Sequence, residues 1–236
     1  MQHISNQWFG VLGASVSKQT ALAGKQATGG FDMRTAFWLL VVVFALLPTQ
    51  VYGQPTVYNA ADDFSATQNP NGVWSYGWSP TLGGTFNLYM RHDIAFGLDL
   101  WRDQTDPNVS HNGTGALVDT GSSIWPVNQL ALHPGQDGEF SVVCWTAPEA
   151  GFVSLVTIFT GLDYVGPTTT DVHVLLNGVS LFDDVVEGFL SETSFITNLT
   201  VAPGDTIEFA VGIGPDGDYF DDTTGLFAVI FFTPSD

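Results

Sequence analysis

Trp74, Tyr76 and Trp78 fall on alternate positions of Trp74-Ser75-Tyr76-Gly77-Trp78. In an extended strand alternate side chains share a face, so the three rings stand in a row while Val73, Ser75 and Gly77 point the other way. Such a row can stack against sugar rings, because each aromatic offers apolar area and, in Trp and Tyr, a polar handle. It can equally pack the interior of a sheet, where aromatic rows meet cross-strand partners. The sequence leaves both readings open. Trp101 (Leu100-Trp101-Arg102-Asp103) and Trp125 (Ser123-Ile124-Trp125-Pro126) lie in polar, loop-like stretches. Loop tryptophans are less readily explained by packing and are expected to meet a ligand.

A second chemistry is carried by acids. Asp216, Asp218, Asp221 and Asp222 share one loop with Gly214 and Gly217. Hard cations such as calcium are held by several carboxylate and carbonyl oxygens on a bendable loop, and Asp62 with Asp63 offers two more carboxylates near residue 54. The spacing does not match an EF-hand loop, and a solvated acidic turn is the alternative reading. A calcium ion held here is expected to be structural rather than catalytic. No other cofactor is expected.

Signs of catalysis are few. His92, His111, His133 and His173 show no metal-ligand spacing. Ser122-Ser123 lacks the flanks of a nucleophile elbow. Asp183, Asp184 and Glu187 offer an acid pair of the kind glycosidases use, but that chemistry depends on separation in space. Cys144 sits mid-strand between Val143 and Trp145 and reads as a buried, inert thiol. A binding domain is therefore expected in preference to an enzyme.

The charge balance narrows the partners. Of 24 acidic and five basic residues, only Asp32, Lys18, Lys25 and Arg34 precede residue 54; Arg91 and Arg102 then face 23 acids, a formal charge of −21. Nucleic acids and anionic membranes are excluded, since both are bound through Lys and Arg. Schiff-base lysine chemistry and P-loops are excluded for want of lysine. Hydrophobic residues at 44% and aromatics at 13% are enough for a packed core, so the acidity does not signal disorder. A single cysteine allows no internal disulfide.

Residues 36–47, AFWLLVVVFALL, follow Met33-Arg34 and precede Val51-Tyr52-Gly53. A short positive start, an apolar run of about a dozen residues and a small-residue site make a signal peptide over 33–53, cleaved after Gly53. An uncleaved anchor helix is the alternative reading. Residues 1–32 are polar and without pattern, either a non-structural extension before a true start at Met33 or an extended n-region. The expectation is a secreted or extracytoplasmic protein with no membrane span in 54–236.

What positions the candidate residues is a series of strands. Ile207, Phe209, Val211 and Ile213 alternate with Thr206, Glu208, Ala210 and Gly212 after a turn at Pro203-Gly204-Asp205. Val172, Val174 and Leu176 lead into Asn177-Gly178, a strong signal for a tight hairpin. Segments 140–146 and 152–160 read as a second hairpin, and the apolar 226–232 as a central strand buried on both faces. Further strands are predicted at 72–78, 85–91, 116–119 and 195–201. Helical periodicity is absent from 54–236. The expected fold is all-β: one domain over 54–236, a jelly-roll-like β-sandwich of two antiparallel sheets, preceded by the signal peptide.

Asp63-Phe64-Ser65, residues 69–78 (NPNGVWSYGW), His133-Pro134-Gly135, Trp145-Thr146-Ala147-Pro148 and residues 204–212 (GDTIEFAVG) resemble secreted bacterial proteins of planctomycetes and of organisms with the PEP-CTERM sorting system. The resemblance covers nearly all of 57–232; the first of these motifs is fairly specific and the rest are looser. It implies a jelly-roll sandwich similar to carbohydrate-binding modules. In calcium-bearing sandwiches of that kind an ion often joins the first strand to the end of the last, which would point to Asp62 or Asp63 with Asp221 or Asp222. The Pro-Glu-Pro motif of sorted members does not occur here. The resemblance favours an exported non-catalytic module for a glycan or cell-surface polymer. A structural or matrix sandwich that docks on other proteins is the alternative, and a polysaccharide hydrolase a third.

Overall fold

Strands and turns, with no helix, make up the described residues of the computed structural model, 53–166 and 168–235. Of the signal peptide predicted over 33–53 only Gly53 is among them, and the extension 1–32 and Met33 lie outside. Among the described residues no helix is long and apolar enough to cross a membrane.

The larger sheet holds β1 (Thr56–Asn59), β4 (Arg91–Ala95), β5 (Leu98–Arg102), β6 (Asn108–His111), β9 (Leu130–His133), β11 (Gly151–Gly161), β14 (Glu192–Val201) and β16 (Thr224–Pro234). Its order is β14-β11-β16-β9-β6-β5-β4, with β1 pairing β16 beyond the end of β9. The smaller sheet runs β13 (Val179–Glu187), β12 (Thr169–Leu176), β15 (Thr206–Gly212), β10 (Phe140–Thr146), β2 (Trp74–Ser79), β3 (Asn87–Leu88). A separate ribbon pairs β7 (Val118–Asp119) with β8 (Ile124–Trp125). The paired strands are antiparallel.

From β9 onward the chain visits the sheets in the order large, small, large, small, small, large, small, large. The result is β9-β16-β11-β14 against β10-β15-β12-β13, which is the strand order of a jelly roll. β2 and β3 extend the smaller sheet past β10; β4, β5 and β6 extend the larger one past β9. The core lies between the sheets. Trp145 sits opposite Trp74 on the neighbouring strand, and Tyr58 packs on Trp145 at 5.7 Å between ring centroids. Phe159, Phe209 and Phe232 complete the same cluster.

Local signals explain several elements. Asn177 and Gly178 take positive φ (52° and 75°) between β12 and β13, the primed-turn geometry that matches strand twist. β15 begins directly after the Pro203-Gly204-Asp205 turn. Two expectations need correcting. Segments 140–146 and 152–160 do form strands, but β10 and β11 lie in different sheets; Ala147-Pro148-Glu149-Ala150 is a crossover between layers, not a hairpin turn. The strand at 226–232 is central, yet Phe227 and Phe231 are exposed on its outer face, because no layer among the described residues covers the sheet there.

Candidate ligand-binding cleft

The aromatic row is on one face, as its spacing predicts, but that face is the inner one. Trp74 is 1% exposed and Tyr76 0%. The Trp74 indole N–H donates to Asp63 Oδ2 at 3.1 Å. Trp101, on β5, is also buried, with its indole N–H on the Ser65 carbonyl at 2.7 Å. Trp125 is buried with its N–H on Ser123 Oγ at 2.9 Å. The sugar-stacking row expected of Trp74, Tyr76 and Trp78 is therefore corrected for Trp74 and Tyr76, whose rings serve packing, and the loop contact expected of Trp101 is corrected for a buried strand residue; Trp125, also buried, lines the cleft described below. Trp78, half-buried, borders a small pocket with Asp106 and Glu139.

The structure builds a different site, on the outer face of the larger sheet. β5, β6 and β9 bring Arg102, Asn108 and His133 into one cross-strand row, Arg102 opposite Asn108 and Asn108 opposite His133. The intervening Trp101, Val109 and Leu132 enter the core, so the three polar side chains face outward. One step along each strand, Leu100, Ser110 and Ala131 form a second row.

The β7–β8 ribbon folds over this surface as a flap. Trp125 packs with Leu98, Leu100, Ala131 and Leu162 in a small cluster of its own. Asn112, 0% exposed, anchors the flap through its amide, whose Nδ2 lies 2.8–3.0 Å from the carbonyls of Ala116, Trp125 and Pro126. Ile124 N–H donates to the Leu162 carbonyl at 3.0 Å and Tyr164 N–H to the Ser122 carbonyl at 2.8 Å. Between flap and sheet remains a cleft of about 230 Å³. Phe96, at the tip of the β4–β5 hairpin with φ 54°, stands at its mouth, 70% exposed.

The polar groups of the cleft are tied together. Ser110 Oγ donates to Asn108 Oδ1 at 2.5 Å, and Asn108 Nδ2 donates to Asp106 Oδ1 at 2.9 Å. Asp106 Oδ1 lies 3.5 Å from His133 Nδ1. Ser110 is thus committed to an asparagine, not to a histidine base. Arg102 Nη2 donates to Asp93 Oδ2 at 2.5 Å, Arg91 donates to the same oxygen at 3.0 Å, and Arg102 Nε is buried without an acceptor among the described residues. The Arg102 hydrogen bond holds the Asp93 carboxyl below its usual range, aided by the Ile94 N–H. Asp106 is also a wall of two adjoining depressions, one of about 290 Å³ with Gln104, Glu139 and Tyr219 and one of about 120 Å³ with Trp78. The ensemble presents donors (Arg102, Asn108, His133) and acceptors (Asp106, Glu139) beside an apolar floor. Such a lining suits a hydroxylated ring with one apolar face.

The acidic candidates are divided. Asp62 accepts from Asn59 Nδ2 at 2.8 Å and Asn128 Nδ2 at 2.6 Å; Asp63 accepts from the Asn59 N–H and Trp74. Both are occupied at the end of β1. Asp218 accepts the Phe220 N–H at 3.1 Å. Asp216 and Asp222 converge on Thr169, and Asp221 holds φ 61° between. Among the described residues no three Asp, Glu, His or Cys side chains stand together as a ready metal cage. Asp183 pairs with His173 at 2.6 Å and Asp184 with Thr193. Cys144 is buried, and desolvation pushes its thiol up to about 12.

Trp125 was a ligand candidate of the sequence, but the polar row of the cleft escaped the sequence reading because 25 positions separate Asn108 from His133 and only the register joins them. The one available signal was that Arg91 and Arg102 are the only basic residues after position 54.

No protein-family model matches the sequence. No curated protein matches it. Among solved structures it is similar to the CBM51 domain from Clostridium perfringens GH95 in complex with methyl-galactose, at 12% identity and TM-score 0.36 over 54% of this chain and 90% of that one. It is also similar to a family 35 carbohydrate-binding module from Clostridium thermocellum, at 11% identity and TM-score 0.29 over 75% and 97%. The CBM35 of Paenibacillus barcinonensis overlaps 76% of this chain and 99% of its own, at 11% identity and TM-score 0.29. These overlays are loose, and the fold assignment rests on the strand order itself.

Proposed function

We propose that this chain is an exported, non-catalytic binding module that takes an uncharged glycan, or a stretch of cell-surface polymer, in the cleft under the β7–β8 flap. The observation that carries the reading is the Arg102–Asn108–His133 row, with Asp106 at its end, set against the apolar side of Phe96, Leu98 and Trp125. A sugar needs this mixture: hydroxyls that give and take hydrogen bonds, and a C–H face that leaves water. A neutral ligand also suits a domain whose net charge repels anions. The test is a glycan-array and insoluble-polysaccharide screen with the purified protein, followed by tryptophan fluorescence, since Trp125 borders the cleft. Saturable binding that weakens in Asp106→Ala and Phe96→Ala supports the reading; binding untouched by both, or none to any polymer, removes it.

A second reading, a structural or protein-docking sandwich, draws on one observation. Phe152, Ile196, Phe227 and Phe231 leave a large exposed apolar area on the β14-β11-β16 side of the larger sheet, and such areas mark interaction surfaces in many proteins. Self-association or capture by a matrix protein, measured by sedimentation and abolished by Phe231→Lys, would favour it.

A further inference from the structure

A buried hydroxyl without a partner marks a second pocket, which shares Asp106 with the cleft. Tyr89, just after β3, is 1% exposed, and its hydroxyl meets no hydrogen-bond partner among the described residues. The Ser141 hydroxyl lies beside it but donates to the Asn108 carbonyl at 2.7 Å. Tyr89 borders a depression of about 120 Å³ together with Trp78, Asp103, Asp106 and Glu139. Burial raises its phenol well above the ordinary value; Ser141 opposes this, and Asp103, Asp106 and Glu139 add to it. The charges that reach the hydroxyl are thus the ones that wall the depression, so the hydroxyl points to that end of the core. Two sheets build the pocket: Trp78 and Tyr89 come from the β2–β3 side, Glu139 precedes β10, and Asp103 and Asp106 lie in the β5–β6 loop. A buried hydroxyl left unpaired costs free energy until something bonds to it.

Each carboxylate of the pocket is held by one oxygen. Asp103 Oδ1 accepts the Met90 N–H at 2.8 Å, Asp106 Oδ1 accepts from Asn108 Nδ2 at 2.9 Å, and Glu139 Oε2 accepts the Asp137 N–H at 3.0 Å. Their other oxygens accept nothing among the described residues. Arg91 and Arg102 both turn to Asp93 instead. A group that answers three carboxylates at once needs a positive charge and three donors, and a primary ammonium has both. A bare metal ion suits the place less, because no three acids converge as a cage among the described residues. The depression of about 290 Å³ next to it shares Gln104, Asp106 and Glu139 and adds Gln136 and Tyr219. Amides, carboxylates and an aromatic ring suit a hydroxylated ring.

We propose that the two depressions form a binding site for an amino sugar with a free amine. The ammonium enters the smaller depression between Asp103, Asp106 and Glu139, and the ring lies in the larger one against Tyr219. Tyr89 Oη gains from the ligand the partner it lacks in the protein. The net charge that repels anions draws an ammonium in. The site is separate from the cleft and goes beyond the uncharged ligand read there, although the two share Asp106.

The experiment is calorimetric titration of the purified protein with glucosamine, N-acetylglucosamine, glucose and propylamine at about pH 6, where amines and ordinary carboxylates are both charged. Glucosamine should bind at least about 10-fold tighter than the other three. Glu139→Gln keeps an acceptor for the Asp137 N–H but drops the charge, and should weaken glucosamine about 10–100-fold. Tyr89→Phe should weaken it about 3–10-fold while Tm holds or rises, since the lost hydroxyl was unpaired; a purely structural Tyr89 would leave the affinity alone. Asp184→Asn, on the opposite edge strand β13, should change neither. No preference for glucosamine over N-acetylglucosamine and glucose would overturn the ammonium pocket. Propylamine bound as tightly as glucosamine would overturn the part given to the sugar ring. An equal loss in Glu139→Gln and Asp184→Asn would replace the site by diffuse attraction to a polyanion. Failure of the cleft reading shows elsewhere, in the neutral-glycan screen and in Phe96→Ala.

Discussion

The outer face of the larger sheet has two halves, and they were finished differently. On the β4-β5-β6-β9 side, outward residues are Arg102, Asn108, Ser110 and His133, and a flap covers part of them. On the β14-β11-β16 side they are Phe152, Ile196, Phe227 and Phe231, and nothing in the described chain lies over them. The same backbone ladder runs through both. What separates them is whether a third layer exists. Polar groups become a site only where a cover removes water and forces them to find each other, as the chain from Ser110 to His133 does. The uncovered apolar half gains no such order and remains a flat surface.

The largest test of this contrast removes the cover's anchor. Trp125→Ala takes a buried indole from the cluster of Leu98, Leu100, Ala131 and Leu162 and leaves Ser123 Oγ without that donor. The expected loss is about 3–5 kcal/mol, read by urea unfolding. A loss under about 1 kcal/mol, within the range of surface changes, would mean the flap only rests on the sheet.

Next comes the polar chain. Asp106→Ala removes the acceptor for Asn108, and the carboxylate 3.5 Å from His133 Nδ1, from a half-exposed position; the nearer partner of that nitrogen is the Pro134 carbonyl at 2.9 Å. Glycan affinity should fall about 10–100-fold, the value of one hydrogen bond to a charged group, with Tm changed little. Equal affinity in parent and variant would place the ligand outside the cleft.

The smaller sheet's outer face shows a third solution, a charge clamp. His173, on β12, holds Asp183 of β13 at 2.6 Å and Asp171 at 2.8 Å. Burial opposes its protonation, yet the hydrogen bonds of Asp171 and Asp183 raise its affinity for the proton above the ordinary histidine value. The clamp's histidine contribution is therefore complete below the unfolded histidine value of about 6.5 and fades as pH climbs through the raised folded value. Asp183 moves the other way: hydrogen bonds from Ser180 and then His173 lower it, so its contribution is complete above the usual carboxylate value and fades as pH falls through the lowered one. Stability from the clamp should peak between about pH 4 and 6.5. Its size is ~1 kcal/mol after allowance for the exposure of Asp183. His173→Gln should flatten the alkaline side of the stability–pH curve, measured by denaturant midpoints; an unchanged curve would show that the clamp contributes nothing.

How much of this was legible in the sequence depended on the range of the signal. β15 and the β12–β13 hairpin were readable because a turn and a period-2 pattern lie within ten residues of each other. The sandwich class followed from many such segments. β5, β6 and β9 were missed: Asn108, Ser110 and His133 are polar residues held in strands by long-range pairing, and no local pattern marks them. The row of Trp74, Tyr76 and Trp78 was placed correctly on one face, but spacing cannot say whether a face looks in or out. Only Asp63 and the opposing sheet decide that. In the same way, the acids of the 216–222 loop were visible, while Asp103, Asp106 and Glu139, which meet only across the two sheets, were not.

The smallest effect concerns the uncovered half. Phe231 faces outward from β16 beside Val57 of β1 and Ser154 of β11. It is 45% exposed, so a polar β-former there should cost little, because half of its apolar area already meets water and the strand keeps its pairing. Phe231→Thr is expected to shift stability by no more than about 0.5–1 kcal/mol. Phe232, its neighbour, points into the core at 1% exposure, its ring tilted against Trp145 at 6.0 Å between centroids; Phe232→Ala should cost about 3–5 kcal/mol. The ratio between two adjacent phenylalanines is the measurement. If Phe231→Thr proves as damaging as Phe232→Ala, a layer covers the apolar half in solution, and the two halves of the sheet are finished alike after all.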